Sequence, residues 1–365
     1  MKICLLKESL PGETRVALSP DIVKKLTAKG FDIAVVKGAG ERAHYSDDQY
    51  LAAGASVADE AKAMQADILV KVRKPTADEV ARLPNDVILI AHVESCENDE
   101  ILQAILDKGI TYLAMERIPR ISRAQSMDAL SSQSNIAGYR AVIEAAAHYG
   151  RFLPLMMTSA GSAKPAKLIV LGAGVAGLQA IATGRRLGAD VSAYDVRPET
   201  KEQIESLGAK AIELDVGESG SGEGGYAKEL SDEAKAKQQQ LLAEELSKAH
   251  VIITTALIPC RPAPTLITEA VVEKMREGSV IIDLAAANGG NCPLTEADKV
   301  VVKHGVIIVG HTNYPAMVPS DASGFYAGNI MNLLNIMVEQ GDQGLVLKDL
   351  AEDEITEAMQ VRADA

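Results

Sequence analysis

The chain has 365 residues, of which 47% are hydrophobic, 24% are charged and 3% are aromatic, with no tryptophan. A single hydrophobic core rarely grows beyond about 250 to 300 residues, so this length predicts two domains, and the composition is typical of an α/β protein. The formal net charge of -13 argues against nucleic-acid binding, because nucleic-acid phosphates require a basic surface.

The first third of the chain alternates short apolar runs with helical patterns. Strands are predicted at 3–6, 32–36, 68–72, 87–92 and 111–114, and helices at 19–29 and 99–108. Ser19 and Pro20 form a helix start signal, since a hydroxyl can cap a helix and proline fits the first helical position, and Gly30 ends that helix. The alternation predicts a parallel sheet.

A polar segment follows the last of these strands. Residues 119–140 read Pro-Arg-Ile-Ser-Arg-Ala-Gln-Ser-Met-Asp-Ala-Leu-Ser-Ser-Gln-Ser-Asn-Ile-Ala-Gly-Tyr-Arg. Most of this segment is polar although it joins two apolar elements, and its first half lacks the glycines expected of a passive linker. We therefore expect it to lie in a cleft between two domains.

A second alternation begins with a helical pattern over 134–150. Strands are predicted at 168–171, 190–194, 251–254, 280–283 and 306–309, and a further helix at 321–338 is expected to return and pack on the first domain. The predicted fold class is α/β, with two Rossmann-like doubly wound parallel-sheet domains separated by a cleft. The first domain comprises residues 1–130 and 315–365, and the second, inserted domain comprises residues 131–314.

A glycine-rich turn connects an apolar strand to a helix in the second domain, and the next strand ends in an acid. Gly172 would supply the tight turn, Gly174 would let the backbone approach a pyrophosphate, and Gly177 would let the helix pack on the strand. Amide groups at the helix start would point at the phosphates. Asp195 would accept hydrogen bonds from the adenosine ribose and repel a 2′-phosphate, which favours NAD(H), although the nearby Arg197 weakens that preference.

The stretch 215–227 interrupts this order of elements. It is rich in Gly, Ser and Glu and has almost no apolar residue before Tyr226, so it cannot bury enough surface to offset the entropy of ordering. Two interpretations remain open. The stretch is either a disordered insertion or a mobile lid over the cofactor, in which Tyr226 docks when the ligand binds.

Several motifs together resemble one family. They are the polar segment at 119–140, Gly12-Glu-Thr-Arg-Val-Ala, the turn at 172–177, Gly224-Gly-Tyr-Ala-Lys, Thr254-Thr-Ala-Leu-Ile-Pro, and Asp283-Leu-Ala with Gly289-Gly-Asn-Cys. These motifs are similar to those of the NAD(H)-binding soluble component of proton-translocating transhydrogenase, a distant relative of alanine dehydrogenase. The resemblance covers the chain to about residue 334.

The resemblance implies where a cofactor binds. Arg120, Gln125 and Asp128 match the family's Arg-Gln-Asp loop, which lies against the nicotinamide and its ribose, and they are the implied catalytic residues. Further contacts are implied at Ser126, Met127, Ser131, Gly172, Gly174, Val175, Ala176, Gly177, Asp195, Val196, Arg197, Gly225, Tyr226, Thr255 and Leu257. From its chemistry alone, Gln125 suits a positioning role, because an amide donates and accepts hydrogen bonds without titrating.

The resemblance also implies partners. The chain would exchange hydride between NAD(H) bound here and NADP(H) bound on a partner component, since the sequence has only one glycine turn of this kind. A membrane-spanning component would couple the exchange to proton translocation. The chain itself would be a cytoplasmic homodimer, peripheral on the cytoplasmic face of the inner membrane, and none of its apolar runs approaches the ~18 residues of a membrane span.

An amino-acid dehydrogenase of the alanine dehydrogenase line is the main alternative. That chemistry needs a cation for the substrate carboxylate and a titratable group that moves a proton as hydride leaves. Arg15 and His92 are present at the matching positions, although His92 could equally be a satisfied core histidine. Arg73 stands where that enzyme's substrate lysine is expected, and Ala287 occupies the place of its catalytic aspartate. Because alanine cannot relay a proton, the transhydrogenase interpretation is favoured.

A non-catalytic NAD-sensing module with the same fold is a second alternative. Single residues also have plain structural interpretations. Arg120 could form a surface ion pair, Asp128 could cap a helix, and Ser131 could satisfy backbone groups at a helix start. Thr255 and Leu257 could simply close a sheet edge. The four cysteines lack CxxC spacing and adjacent histidine pairs, so no metal site is indicated.

Overall fold

The structure is a computed structural model that describes residues 1–94, 99–215, 232–258, 260–342 and 344–362. The chain forms two compact units. Unit 1 comprises Met1–Gln133 and Pro315–Ala365, and unit 2 comprises Ser134–Tyr314. Along the chain, unit 2 is therefore an insertion within unit 1. The boundaries expected from the sequence fall at residues 130 and 314.

Unit 1 is built on a six-stranded sheet. Its strands are β1 (Lys2–Leu5), β2 (Asp32–Val36), β3 (Ser56–Ala58), β4 (Ile68–Val70), β5 (Ile88–Ala91) and β6 (Thr111–Ala114). They lie in the order β3-β2-β1-β4-β5-β6, and every neighbouring pair is parallel. This is the strand order of the doubly wound dinucleotide-binding fold. Ile3, Cys4 and Leu5 are fully buried, as expected for a parallel strand covered on both faces.

The first helices of unit 1 begin where the sequence supplies capping groups. They are α1 (Pro20–Ala28), α2 (Asp47–Ala52), α3 (Glu60–Ala63), α4 (Ala77–Arg82) and α5 (Glu100–Asp107). Pro20 lies in the first turn of α1, where its missing N–H would have no helical acceptor. Ser46 and Thr76 start α2 and α4 with reciprocal capping boxes to Gln49 and Glu79.

Unit 2 contains a seven-stranded sheet of the same type. The chain enters it through α6 (Ala129–His148) and a hairpin of β7 (Met156–Thr158) and β8 (Gly161–Ala163). The sheet comprises β9 (Lys167–Leu171), β10 (Asp190–Tyr194), β11 (Lys210–Ala211), β12 (Val251–Thr254), β13 (Val280–Asp283), β14 (Val300–Lys303) and β15 (Val306–Val309). The accompanying helices are α7 (Val175–Arg186), α8 (Thr200–Ser206), α9 (Asp232–Leu246) and α10 (Glu269–Val272). The strand order is β11-β10-β9-β12-β13-β15-β14, and only β14 is antiparallel to its neighbour.

The chain returns to unit 1 after β15. The returning stretch contains α11 (Pro319–Met337), the hairpin of β16 (Val338–Gly341) and β17 (Gly344–Leu347), and α12 (Glu354–Met359). Tyr326, Ile330 and Leu334 of α11 are fully buried in the core that covers the six-stranded sheet. Within the ranges described above, no helix is long and apolar enough to cross a bilayer.

The expected α/β fold class with two parallel-sheet domains is confirmed. Several elements differ from the sequence-based expectation, among them the short strands β7, β8, β11, β16 and β17, which were not predicted. Strand β3 was not expected, because a three-residue edge strand carries too short a pattern. Strand β14 was not expected either, although His304 and Gly305, with φ of 50° and 76°, form the tight turn that folds it back on β15. Helix α6 starts at Ala129 rather than at residue 134, because Asp128 caps it.

Candidate functional site

The glycine turn of unit 2 follows β9 and is shaped by close backbone contacts. Gly172 has a φ of 97°, a conformation that side chains with a Cβ rarely adopt. A Cβ at this position would lie 2.4 Å from Oγ1 of Thr255. That hydroxyl donates to the carbonyl oxygens of Leu171 and Gly172, at 3.1 and 3.3 Å. Thr255 therefore holds the turn in place from the end of β12.

Helix α7 starts directly against this turn. A Cβ on Gly177 would lie 1.8 Å from the carbonyl oxygen of Gly172, and a Cβ on Gly138 of α6 would lie 2.1 Å from the carbonyl oxygen of Ala176. Both glycines therefore permit contacts that alanine would block. Gly174, the N-cap residue of α7, has open space where its Cβ would be. A ligand can approach the backbone from that side.

The first turn of α7 is a site suited to an anion. The leading N–H groups of a helix lack acceptors within the helix, and the helix dipole places partial positive charge there. Val175 and Ala176 are the first residues of α7, and Val175 is 40% exposed. Together with the open side of Gly174, these amides can bind phosphate oxygens.

Asp195 follows β10 and already accepts several hydrogen bonds. Its Oδ2 accepts from the backbone N–H of Ala173 at 2.7 Å and from the Arg197 guanidinium at 3.0 Å. Its Oδ1 accepts from the backbone N–H and Nε of Arg197, at 2.9 and 3.0 Å. Burial alone would raise the pKa of Asp195, but the hydrogen bonds from Arg197 and Ala173 outweigh it and hold the pKa below its ordinary value. The carboxylate is therefore ionised and faces the glycine turn.

A shallow cavity of about 260 Å³ borders Asp195 and Arg197. It lies between β10, α8 and β11, and its walls include Ile204 and Ala211. Two further positions implied by the resemblance are strongly exposed near the strand ends. Val196 is 74% exposed after β10, and Leu257 is 48% exposed after β12.

The polar segment is ordered, and its part up to Gln133 belongs to unit 1. Residues Ser122–Met127 form a 3-10 helix, in which Met127 is buried and Ser126 is exposed. Asp128 then begins α6, and its Oδ1 accepts from the backbone N–H of Ser131 at 2.8 Å. Its Oδ2 accepts from the Ser131 hydroxyl. Asp128 and Ser131 therefore also serve the structural roles of a helix cap and its partner.

Helix α11 contacts the polar segment through two asparagine side chains. The side-chain amides of Asn329 and Asn332 both donate to the carbonyl oxygen of Ser126, at 2.9 and 3.0 Å. Asn329 also accepts from the Ser132 hydroxyl at 2.7 Å. Arg123 forms a bidentate ion pair with Asp353 at the start of α12, at 2.7 and 3.0 Å. These contacts fix the backbone of the segment on both sides of Gln125.

Arg120 and Gln125 differ from these anchoring residues. Both side chains are exposed, and neither forms a hydrogen bond or ion pair with any other residue that the structure describes. The Arg120 side chain therefore forms no ion pair with the described residues, contrary to its plain structural interpretation. A rigid backbone with two uncommitted polar side chains is suited to contacting a ligand.

The implied site residues fall into two groups. Unit 2 brings together Gly172, Gly174, Val175, Ala176, Gly177, Asp195, Val196, Arg197, Thr255 and Leu257 at the carboxyl ends of β9, β10 and β12. Unit 1 carries Arg120, Gln125, Ser126, Met127, Asp128 and Ser131. Gly225 and Tyr226, with the rest of the possible lid, lie outside the described residues.

Among the described residues, one group has the spacing of metal ligands. Glu269, Glu273 and His304 offer ligand atoms within 4.8 Å of one another, and all three residues are exposed. They lie at α10 and the β14–β15 turn, whereas the glycine turn follows β9.

Two family models match nearly the whole chain. The alanine dehydrogenase/PNT N-terminal domain matches residues 4–137, and the alanine dehydrogenase/PNT C-terminal domain matches residues 141–364. The chain belongs to the alanine dehydrogenase/PNT family. Together the two matches cover both units of the chain.

Relatives within the alanine dehydrogenase/PNT family include proteins named for two activities. The chain is 52% identical to the first polypeptide of the NAD(P) transhydrogenase alpha subunit of Rhodospirillum rubrum, over 100% of this chain and 97% of that protein. It superposes on the crystal structure of transhydrogenase from Sinorhizobium meliloti with a TM-score of 0.89 at 46% identity, covering 99% and 98% of the two chains. Alanine dehydrogenase 1 of Staphylococcus aureus is 30% identical over 94% of this chain and 89% of that protein. The chain is therefore a homologue of the transhydrogenase alpha subunit, with alanine dehydrogenase as the more distant branch.

The two residues that the resemblance relates to alanine dehydrogenase, Arg15 and His92, have partners in unit 1. Arg15 is buried and donates to Glu13 through Nε and Nη2, at 2.8 and 2.7 Å, and to Gln133 at 2.9 Å. His92 is buried, with its Nδ1 3.3 Å from a carboxylate oxygen of Glu116. Its ring also packs on Tyr326. His92 thus lies in the core of unit 1 between Glu116 and Tyr326.

Sequence reasoning missed the residues that support the site. Gly138 lies inside a helical pattern, where glycine costs stability, and that local cost was the available signal of a close packing contact. Asn329 and Asn332 are three residues apart on α11, which places both amides on one helix face. A sequence pattern does not show which backbone carbonyl that face meets.

We expect Gly138→Ala to destabilise unit 2 by about 1 to 3 kcal/mol and to weaken nucleotide binding, because the new methyl group would displace α6 from the start of α7. Thermal unfolding and a fluorescence titration with NADH would measure both effects. Gly150→Ala is the matched control, since a Cβ there meets nothing within 4 Å. Equal behaviour of the two variants would show that the close contact is not needed.

Proposed function

We propose that the chain is the NAD(H)-binding component of a proton-translocating transhydrogenase. It exchanges hydride between NAD(H) bound here and NADP(H) bound on a partner component. The main observation behind this proposal is the glycine turn with Asp195. The chain that contains it matches a transhydrogenase alpha-subunit polypeptide over its full length at 52% identity. A nicotinamide nucleotide would lie with its pyrophosphate at the start of α7.

The preference for NAD(H) is proposed from Asp195. An ionised carboxylate can accept hydrogen bonds from the 2′- and 3′-hydroxyls of the adenosine ribose, whereas it would repel a 2′-phosphate. Arg197 pairs with this carboxylate, so binding requires the ribose to displace some of that pairing. Because Arg197 is 52% exposed, its side chain can move into solvent at little cost.

The polar segment is proposed to position the nicotinamide. The exposed amide of Gln125 can donate to and accept from the ring carboxamide, and Arg120 can contact the ribose or phosphate oxygens. Asp128 and Ser131 set the start of α6, directly after the 3-10 helix that carries Gln125. When bound, the cofactor supplies a hydride at ring carbon C4. The residues of the chain orient the ring and exclude water.

This reaction requires no proton transfer at the reacting carbons, which agrees with the residues present. Ala287 has no titratable group, and the Arg15 guanidinium is engaged by Glu13 and Gln133. An amino-acid dehydrogenase needs both a free cation for a carboxylate and a proton acceptor. Steady production of NADH from NAD and alanine would therefore favour the alanine dehydrogenase alternative.

Partner components follow from the same proposal. The described residues of unit 2 carry one glycine turn of this type, so the second nicotinamide must be bound elsewhere. We place it on an NADP(H)-binding component, and we assign proton translocation to a membrane-spanning component. The chain would then lie peripherally on the cytoplasmic face of the inner membrane.

A homodimer is proposed from an uncovered hairpin. The strands β7 and β8 pair only with each other among the described strands, and a two-stranded hairpin is marginally stable alone in water. Apolar side chains on and before it are exposed, with Met157 at 76%, Phe152 at 57% and Leu155 at 55%. A second copy of the chain would cover this surface and complete the packing of the hairpin.

We expect NADH to bind at least tenfold more tightly than NADPH, a ratio that requires only ~1.4 kcal/mol. Asp195→Ala should reduce this ratio, because the repulsion is lost and Arg197 becomes available to a 2′-phosphate. Calorimetric titration with both cofactors measures the ratio. Asp190→Ala removes the same charge from the same strand and should leave it unchanged. Equal affinities in the unaltered chain would contradict the NAD(H) assignment.

Gln125→Asn should lower the rate of hydride transfer much more than the affinity for NADH. Hydride transfer needs the two rings about 3 to 3.5 Å apart, so a residue that steers one ring affects rate far more than affinity. Asparagine keeps the amide but shortens the side chain by one methylene. We expect NADH affinity within a few-fold of the unaltered chain and at least a ~10²-fold loss in transfer to a partner-held NADP analogue.

Stopped-flow mixing with the NADP(H)-binding partner gives both quantities for the Gln125 variant. Ser122→Ala is the control, since it alters an exposed side chain of the same 3-10 helix that is not among the implied cofactor contacts. If affinity and rate fall together in Gln125→Asn, or if neither falls, Gln125 does not position the ring.

Met157→Ser should weaken the homodimer, because it removes the most exposed apolar side chain of the hairpin. Light scattering across a concentration series should show a dimer for the unaltered chain and a monomer at low concentration for the variant. Val302→Ser is the control on β14, where the side chain is also exposed, at 65%. A monomeric unaltered chain at all concentrations would rule out the proposed homodimer.

A further inference from the structure

A group of basic residues lies at the amino ends of the strands in unit 2. Lys167 is the first residue of β9, His250 directly precedes β12, and Arg276 lies shortly before β13. The glycine turn follows the other end of β9, which is five residues long. At about 3.3 Å per residue, the two ends lie roughly 16 Å apart. The group is therefore separate from the proposed nucleotide site.

The hydrogen bonds of His250 define which ring nitrogen carries the proton. Nδ1 accepts from the backbone N–H of Lys167 at 2.9 Å. A neutral imidazole has one N–H, so with Nδ1 as the acceptor the proton must be on Nε2. Tyr149 stacks on the ring, with centroids 6.1 Å apart and planes at 21°, and so fixes its orientation.

The proton on Nε2 then faces another donor. The nearest partner of Nε2 is Nη1 of Arg276, at 3.4 Å. An arginine guanidinium has only donors, so the contact joins two N–H groups without an acceptor between them. Two donors that converge in this way leave a position that only an acceptor atom can satisfy.

The surrounding charge makes an anion the favoured acceptor. Arg151, Lys167 and Arg276 are exposed, and none of them forms an ion pair with a carboxylate among the described residues. Burial lowers the pKa of His250, and the charges of Arg276, Arg151 and Lys167 lower it further. In a chain with a net charge of -13, three unpaired cations around one imidazole are an unusual local concentration of positive charge.

We propose that His250 and Arg276 form a phosphate-binding site near the amino ends of β12 and β13 in unit 2. A phosphate oxygen would accept from Nε2–H of His250 and from the guanidinium of Arg276, which resolves the donor–donor contact. Arg151 and Lys167 would add longer-range attraction. The phosphate group comes either from free inorganic phosphate or from a lipid headgroup, and both present the same oxygens.

The primary test follows the His250 pKa by NMR in the full chain while inorganic phosphate is added at constant ionic strength. A bound anion stabilises the imidazolium, so phosphate should raise the His250 pKa by at least ~0.5 units in a saturable manner. His250→Gln assigns the resonance. Arg276→Gln should weaken phosphate binding at least ~10-fold. Arg186→Gln, which removes one exposed positive charge from α7, should bind phosphate as the unaltered chain does.

A second arm distinguishes the sources of the phosphate group. Co-sedimentation with phosphatidylglycerol vesicles, compared with phosphatidylcholine vesicles, tests the headgroup. Binding to the anionic vesicles that is lost in Arg276→Gln, but not in Arg186→Gln, identifies a lipid phosphate. A saturable NMR response without vesicle binding identifies free phosphate. An unchanged His250 pKa together with equal vesicle binding by both variants would overturn the site. NADH affinity should be the same throughout, which makes this test independent of the proposed function.

Discussion

The close contact between the carbonyl of Gly172 and the start of α7 determines the arrangement of the nucleotide-binding unit. Gly177 permits that contact, Thr255 holds the turn from the next strand, and Gly138 brings α6 against the same helix start. The two contacts made by Gly177 and Gly138 place backbone against backbone, so neither tolerates an added methyl group without a shift. The free amides at the start of α7 are therefore held where they can bind an anion.

The sequence predicted the fold class and the nucleotide turn because both leave strong local patterns. Buried parallel strands are short apolar runs, and the glycines at 172, 174 and 177 follow one such run directly. The supporting contacts could not be predicted in the same way. The bonds from Asn329 to Ser126 and from Arg123 to Asp353 join residues that are far apart in sequence, and no spacing rule relates them. The sequence pattern likewise did not predict the ion pair between Arg197 and Asp195, although these residues are only two positions apart.

The structure also indicates how one scaffold can serve two activities. Arg15 and His92 remain in unit 1, but Arg15 is bound to Glu13 and Gln133, and His92 lies beside Glu116. In these positions both side chains are buried and contact other residues of unit 1. Position 287, which the family resemblance relates to a catalytic aspartate, is an alanine and has no titratable side chain, whereas the glycine turn and the polar segment are both present. That combination suits hydride exchange between two nicotinamides.

The most direct test of this account is to trace the hydride itself. NADH carrying deuterium at the transferred C4 position would be mixed with the chain, the NADP(H)-binding partner and an NADP analogue, and the product would be examined by mass spectrometry. Direct exchange predicts that the analogue acquires the deuterium in one step, and that nothing is transferred when the partner is omitted. Recovery of the deuterium in water, or oxidation of NADH by pyruvate and ammonia without the partner, would contradict it.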